Sequence, residues 1–120
     1  MCKKCTMWYY LAMGKTERNK GKRGELELAH KLSNLFGIVA KRGNQYKGSP
    51  DSPDVVALSG IHVECKRVEK FQLYPSLEQA ANDSGDNIPV VMHRRNRKDW
   101  VVIMYLDDVP GFCKVVSGAT

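Results

Sequence analysis

The amino-acid sequence predicts an α/β domain in which one mixed sheet of about five strands is flanked by helices. Three observations carry that expectation. The chain has 120 residues, enough to bury one core but not two. Apolar residues recur at three- and four-residue steps from Gly24 to Phe36, the period of a helix. Short apolar runs bounded by turn formers follow it, giving the order helix, three strands, helix, two strands. With 42% hydrophobic and 27% charged residues, the composition excludes a chain that is disordered throughout.

In chain order, residues 1–13 make an apolar start that could pack as an arm on a partner subunit. Lys15–Arg23 carries Lys15, Arg18, Lys20, Lys22 and Arg23 and reads as a flexible basic lead-in. The helix that follows repeats Leu28, Ala29, Leu32, Leu35 and Phe36, and Gly37 is placed to stop it. A short strand is expected over Ile38–Arg42, then a loop, GNQYKGSPDSP, from Gly43 to Pro53. Asp54–Leu58 and Ile61–Val68 are the next strands. Pro75–Ser84 has helical character: Pro75 suits a first turn, Ser76 and Gln79 have capping-box spacing, and Gly85 can end the helix. Ile88–His93 and Trp100–Leu106 are strands around the polar turn RRNRKD, with Trp100 and Tyr105 fitting strand packing. The tail from Asp107 is weakly patterned, and Pro110 and Gly111 argue against a long helix there. No internal repeat is present.

A formal net charge of +6 and a pI near 9.2 favour polyanionic partners, nucleic acid first, because neutralising phosphates releases counterions. A basic solubilising surface is the plainer alternative. No run approaches the ~20 apolar residues that span a bilayer. The N-terminal MCKKCTMWYYLAMGK has a lysine-flanked apolar run, but tyrosines interrupt it and no small-residue cleavage site follows. A cytoplasmic location is therefore expected, with Cys65 a reduced hydrophobe in a strand. Cys2 and Cys5 have zinc-site spacing. Cys65 and Cys113 stand alone and the three histidines are scattered, so a reduced arm is expected rather than a zinc site.

Charged residues in the apolar elements point to chemistry. Glu25 stands three residues before Leu28 and four before Ala29, on the apolar stripe of its helix. Along Ile61–Val68, His62, Glu64 and Lys66 share one face. Asp54 opens the neighbouring strand. A two-residue turn at Ser59-Gly60 would pair Asp54 with Cys65, on the wrong face. A three-residue loop, Leu58-Ser59-Gly60, or a bulge near Asp54, would bring Asp54 and Glu64 together. Convergent carboxylates make a hard oxygen site suited to Mg²⁺ or Mn²⁺. Lys66, one step along that face, could orient the water or stabilise charge on a phosphate. His62 reads as a polar neighbour and not a ligand.

Pro53-Asp54, nine intervening residues and then Glu64-Cys65-Lys66 resemble the PD-(D/E)XK nuclease motif. Within that superfamily the chain resembles the archaeal-type Holliday junction resolvases and their phage-encoded relatives, from about Lys20 to Leu106. KGKRGELE with Glu25, the KRGNQYKGSPDSPDV loop, VECKRVE and the helix with Glu78-Gln79-Ala80 carry the likeness. The resemblance implies a restriction-endonuclease-like core, with an arm over 1–20, partly flexible, and one nuclease domain over 21–120. It further implies that Asp54 and Glu64 bind the metal, that Lys66 is the catalytic lysine, and that Glu25 completes the metal site. Arg42 and Ser49 correspond to loop residues that contact substrate phosphate, and Gln79 is a weaker candidate. The first dozen residues have no counterpart in the family's pattern.

The expected activity is that of a Mg²⁺-dependent DNA endonuclease, with Mn²⁺ as a possible substitute, and no nucleotide cofactor or membrane. Resolvases work as symmetric dimers on four-way junctions, and the N-terminal arm and late strands are the candidate dimer surface. Lys20, Lys22 and Arg23, together with Arg94, Arg95, Arg97 and Lys98, could track the phosphate backbone. The rivals are a nicking or branched-DNA nuclease of the same fold and a DNA-binding module without catalysis.

Overall fold

The computed structural model describes residues 15–43 and 53–119. The expectations for Cys2, Cys5, the apolar arm and Ser49 lie outside these residues. The first element, α1, spans Lys15–Phe36 and so begins within the segment expected to be a flexible lead-in. Lys, Arg and Glu are good helix formers, and the single interior Gly21 costs too little to break the run. Leu28, Ala29 and Leu32 form the buried stripe, whereas Leu35, expected on it, is 66% exposed. Gly24 extends the stripe for a steric reason. A Cβ at that position would lie 2.5 Å from Cβ of Arg67, so α1 sits close to the sheet because residue 24 has no side chain.

Five strands follow: β1 (Lys41–Arg42), β2 (Val55–Val56), β3 (Ile61–Arg67), β4 (Ile88–Arg94) and β5 (Val101–Ile103). They form one sheet in the order β1-β2-β3-β4-β5. Neighbours are antiparallel except β3 and β4, which run parallel and are joined by helix α2 (Leu73–Asp83). The mixed sheet with helices around it is the α/β architecture expected. β1 is shorter than Ile38–Arg42 because the Ala40 N–H goes to Ser33 Oγ on α1 (2.9 Å) instead of to a ladder. β5 is shorter than Trp100–Leu106 because the chain turns at Tyr105 into a 3₁₀ segment, Leu106–Asp108.

Two further expectations are corrected. α2 starts at Leu73 with Gln72 as its N-cap, and the Ser76 N–H bonds to the Gln72 carbonyl (3.2 Å). Ser76 and Gln79 therefore lie inside the helix and form no capping box, although Pro75 does occupy the first turn and Gly85 follows the C-cap, Ser84. The tail is a helix, α3, over Val109–Ala119. Pro110 and Gly111 fall in its first turn, where a missing N–H costs little. Phe112 and Val115 pack onto the core from it.

The sheet has apolar layers on both sides. Leu28, Ala29 and Leu32 of α1 meet Val63, Val90 and Met92, while Leu77 and Ala80 of α2 meet Val91. Glu64 is the register partner of Val91, so His62, Glu64 and Lys66 belong to the α2 side of β3. Among the described residues no helix is long and apolar enough to cross a membrane.

Candidate active site

The turn between β2 and β3 decides the site. Ile61 N–H bonds to the Leu58 carbonyl (3.2 Å) and Gly60 holds φ +93, a left-handed value that glycine adopts freely. Val55 therefore opposes Val63, and Asp54, at a bend just before β2, lies beside Glu64. This is the three-residue loop register, not the two-residue turn that would have paired Asp54 with Cys65. Asp54 is held at both backbone groups: its N–H donates to Val63 O (2.9 Å) and its carbonyl accepts from Gly43 N–H (2.8 Å).

Both carboxyls are buried, Asp54 at 8% and Glu64 at 2% exposure. The Cys65 N–H donates to Asp54 Oδ2 (2.8 Å), and His62 Nε2 lies 2.8 Å from Glu64 Oε1. The two carboxyls are close enough to perturb each other, and Lys66, half-buried beside them, favours their ionised forms. Burial raises Asp54 well above the usual carboxylate range, and the neighbouring Glu64 raises it further. Burial likewise pushes Glu64 up to about 7. Cys65, whose side chain alternates to the opposite face, has its thiol pushed upward by burial. It is a packed hydrophobe, as the sequence implied.

Glu25 approaches from α1. Burial and the Asp54 charge raise its carboxyl to about 7, against the pull of Arg42. Arg42 Nε donates to Glu25 Oε2 at 2.7 Å. The arginine expected at a substrate phosphate thus gives one donor to an acidic residue of the site.

The donor set fits a hard divalent cation. Two buried carboxylates lie beside each other with the acidic Glu25 nearby, and burial, with each group's acidic neighbours, raises all three above the usual carboxylate range. Among the described residues no three His, Cys, Asp or Glu side chains form a ready ligand cage. Two carboxylates with room left for water suit a hard divalent cation.

The two basic segments meet at one carboxylate. Glu69, just past β3, accepts from Asn96 N–H (2.9 Å) in the β4–β5 turn and pairs with Lys20 Nζ (3.3 Å) on α1. The Asn96 N–H, then Lys20 and Arg67, hold the Glu69 carboxyl below its ordinary value. Lys22, Arg23, Arg95, Arg97 and Lys98 are exposed around this junction. Arg97 sits at φ +64 in the turn closed by Lys98 N–H to Arg95 O (3.2 Å). Arg94 is differently employed: its Nε bonds to Lys98 O (2.6 Å) and its guanidinium pairs with Glu27, which also accepts from Trp100 Nε1 (2.9 Å).

Sequence reasoning passed over the Cys65 N–H and Glu69, and read His62 as a polar neighbour of Glu64, which the contact bears out. A backbone donor leaves no mark in a sequence. His62 did leave one, two positions before Glu64 on the same face.

Residues 16–115 match a family model described as Phage putative PDDEXK endonuclease. That span holds Glu25, Asp54, Glu64 and Lys66. No curated protein and no solved structure matches the chain.

Proposed function

Because the chain belongs to this PDDEXK endonuclease family, we propose that it is a divalent-metal-dependent DNA endonuclease that cuts four-way junctions as a resolvase, acting as a homodimer. The observation that carries the reading is the buried Asp54–Glu64 pair, with the half-buried Lys66 on the same face of β3 as Glu64. Nucleases of the PD-(D/E)XK type generally use divalent metals. Asp54 and Glu64 would hold the ion, with Glu25 completing its surroundings. Bound there, Mg²⁺ or Mn²⁺ would polarise the phosphodiester and lower the pKa of an attacking water.

The chain's own residues have separate tasks. Cys65 N–H and the ladder bonds fix Asp54, so that its carboxyl meets Glu64 without rearrangement. Lys66 supplies a cation beside the site, placed to stabilise charge that develops on the phosphate. Lys20, Lys22 and Arg23 of α1 and Arg95 and Arg97 of the turn provide sequence-independent grip on the backbone. Arg42 can exchange Glu25 for a phosphate oxygen once a cation neutralises the acidic group. Paired nicks on a four-way junction require two sites related by a two-fold axis, which a symmetric dimer supplies.

The test is nicking of a labelled four-way junction beside a linear duplex of the same sequence, with Mg²⁺ or EDTA, by wild type and Asp54→Asn. Paired symmetrical cuts on the junction alone, lost with EDTA and with the variant, are expected. Equal cutting of both substrates would leave a nuclease without junction preference, such as a nicking enzyme. Tight binding without cutting would reduce the protein to a DNA-binding module.

A further inference from the structure

Among the buried polar groups of β3, His62 has no task in the chemistry above. Its side chain and that of Glu64 are each 3% exposed, and Nε2 lies 2.8 Å from Oε1. The contact follows from strand geometry, since residues two apart on a strand point to the same face. We propose that His62 is a positioning residue: its Nε2–H holds Glu64 Oε1, fixing the carboxylate so that its other oxygen is directed to a bound divalent cation. The inference rests on the metal-dependent reading above.

An ionised Glu64 only accepts hydrogen bonds. With a cation bound, Nε2 of His62 must therefore be the donor in this contact. The arrangement mirrors the neighbouring carboxylate. Asp54 has Oδ2 fixed by the Cys65 N–H, and Glu64 has Oε1 fixed by the His62 N–H. Each carboxylate thus has one oxygen tied by a protein donor before any ion arrives. Removing such an outer partner typically costs 10–100-fold in metal affinity.

Two amide substitutions separate this role from mere space-filling. Glutamine places its N–H₂ where Nε2 stood, whereas asparagine is a polar amide one atom too short. Mn²⁺ binding to the full chain without DNA is measured by calorimetry for wild type, His62→Gln, His62→Asn and Asp54→Asn, with melting in EDTA as the measure of folding. His62→Gln should bind within about threefold of wild type and His62→Asn about tenfold or more weaker, with similar melting of the two. Wild-type affinity in His62→Asn, or an equal loss in both variants, overturns the positioning role. If wild type itself takes up no Mn²⁺, the metal-dependent reading fails and this inference with it. Binding lost in Asp54→Asn but intact in His62→Asn overturns the inference alone. Should His62→Asn not fold, the ¹⁵N spectrum of wild type with Mg²⁺ decides: the Nε2–H tautomer is required, and the Nδ1–H tautomer overturns the proposal.

Discussion

At the scale of single residues, the site is a set of carboxyls kept from water without enough cationic compensation. Arg42 and Lys66 pull Glu25 and Glu64 toward ionisation, yet burial holds both near 7 against 4.5 in the open chain. Groups with raised values bind protons more tightly when folded. Their contribution to stability is complete below about pH 4.5 and disappears as the pH rises through about 7. For a fully buried group the effect is at most on the order of 3 kcal/mol. The metal-free protein should therefore melt at a lower temperature at pH 8 than at pH 6, and Mg²⁺ should raise the melting temperature more at pH 8. Calorimetry in EDTA and in Mg²⁺ at both pH values measures this. Equal melting at the two pH values in EDTA would mean that the carboxyls are better solvated than their burial implies.

At the scale of elements, close approach of helix and sheet explains a glycine that propensity alone would remove. Gly21 and Gly24 both lie inside α1, but a Cβ at Gly21 meets nothing within 4 Å, whereas at Gly24 it collides with Arg67. Gly21→Ala should stabilise the fold by about 0.5–1 kcal/mol. Gly24→Ala should destabilise it by about 1–3 kcal/mol despite the same gain in propensity, because α1 must move off β3. Urea titrations of the two variants give opposite signs if α1 seats on the sheet as described. The same pair marks where the sequence was legible. The stripe Leu28–Ala29–Leu32 and the alternation of His62, Glu64 and Lys66 were readable because periodicity reports which face is buried. The start of α1 was not, since Lys and Arg satisfy both a helix and a solvated coil. α3 was hidden by Pro110 and Gly111, which signal a break until their first-turn position is known. The Asp54–Glu64 register depended on one loop length that the sequence left open, and the Leu58–Ile61 hydrogen bond with Gly60 resolves it.

At the scale of the whole molecule, the two halves of the acidic pair stand on unequal supports. Glu64 lies on the seven-residue β3, the middle strand, flanked by β2 and the long parallel partner β4. Asp54 lies at the mouth of the two-residue β2, tied by a few ladder bonds. Opening free energies within one fold range from nearly zero to the global value, and short peripheral ladders sit at the low end. Backbone amides around Asp54 should thus exchange with deuterium well before those of Val63, Glu64 and Cys65, although the two sets face each other across one ladder. A divalent cation held by Asp54 and Glu64 would close that gap by slowing the Gly43 and Asp54 amides selectively. Exchange followed by NMR with and without Mg²⁺ reads it directly, and uniform protection of both strands in EDTA would count against it. On this account a bound ion would also be a fastener, completing a part of the sheet that the chain leaves loosely held.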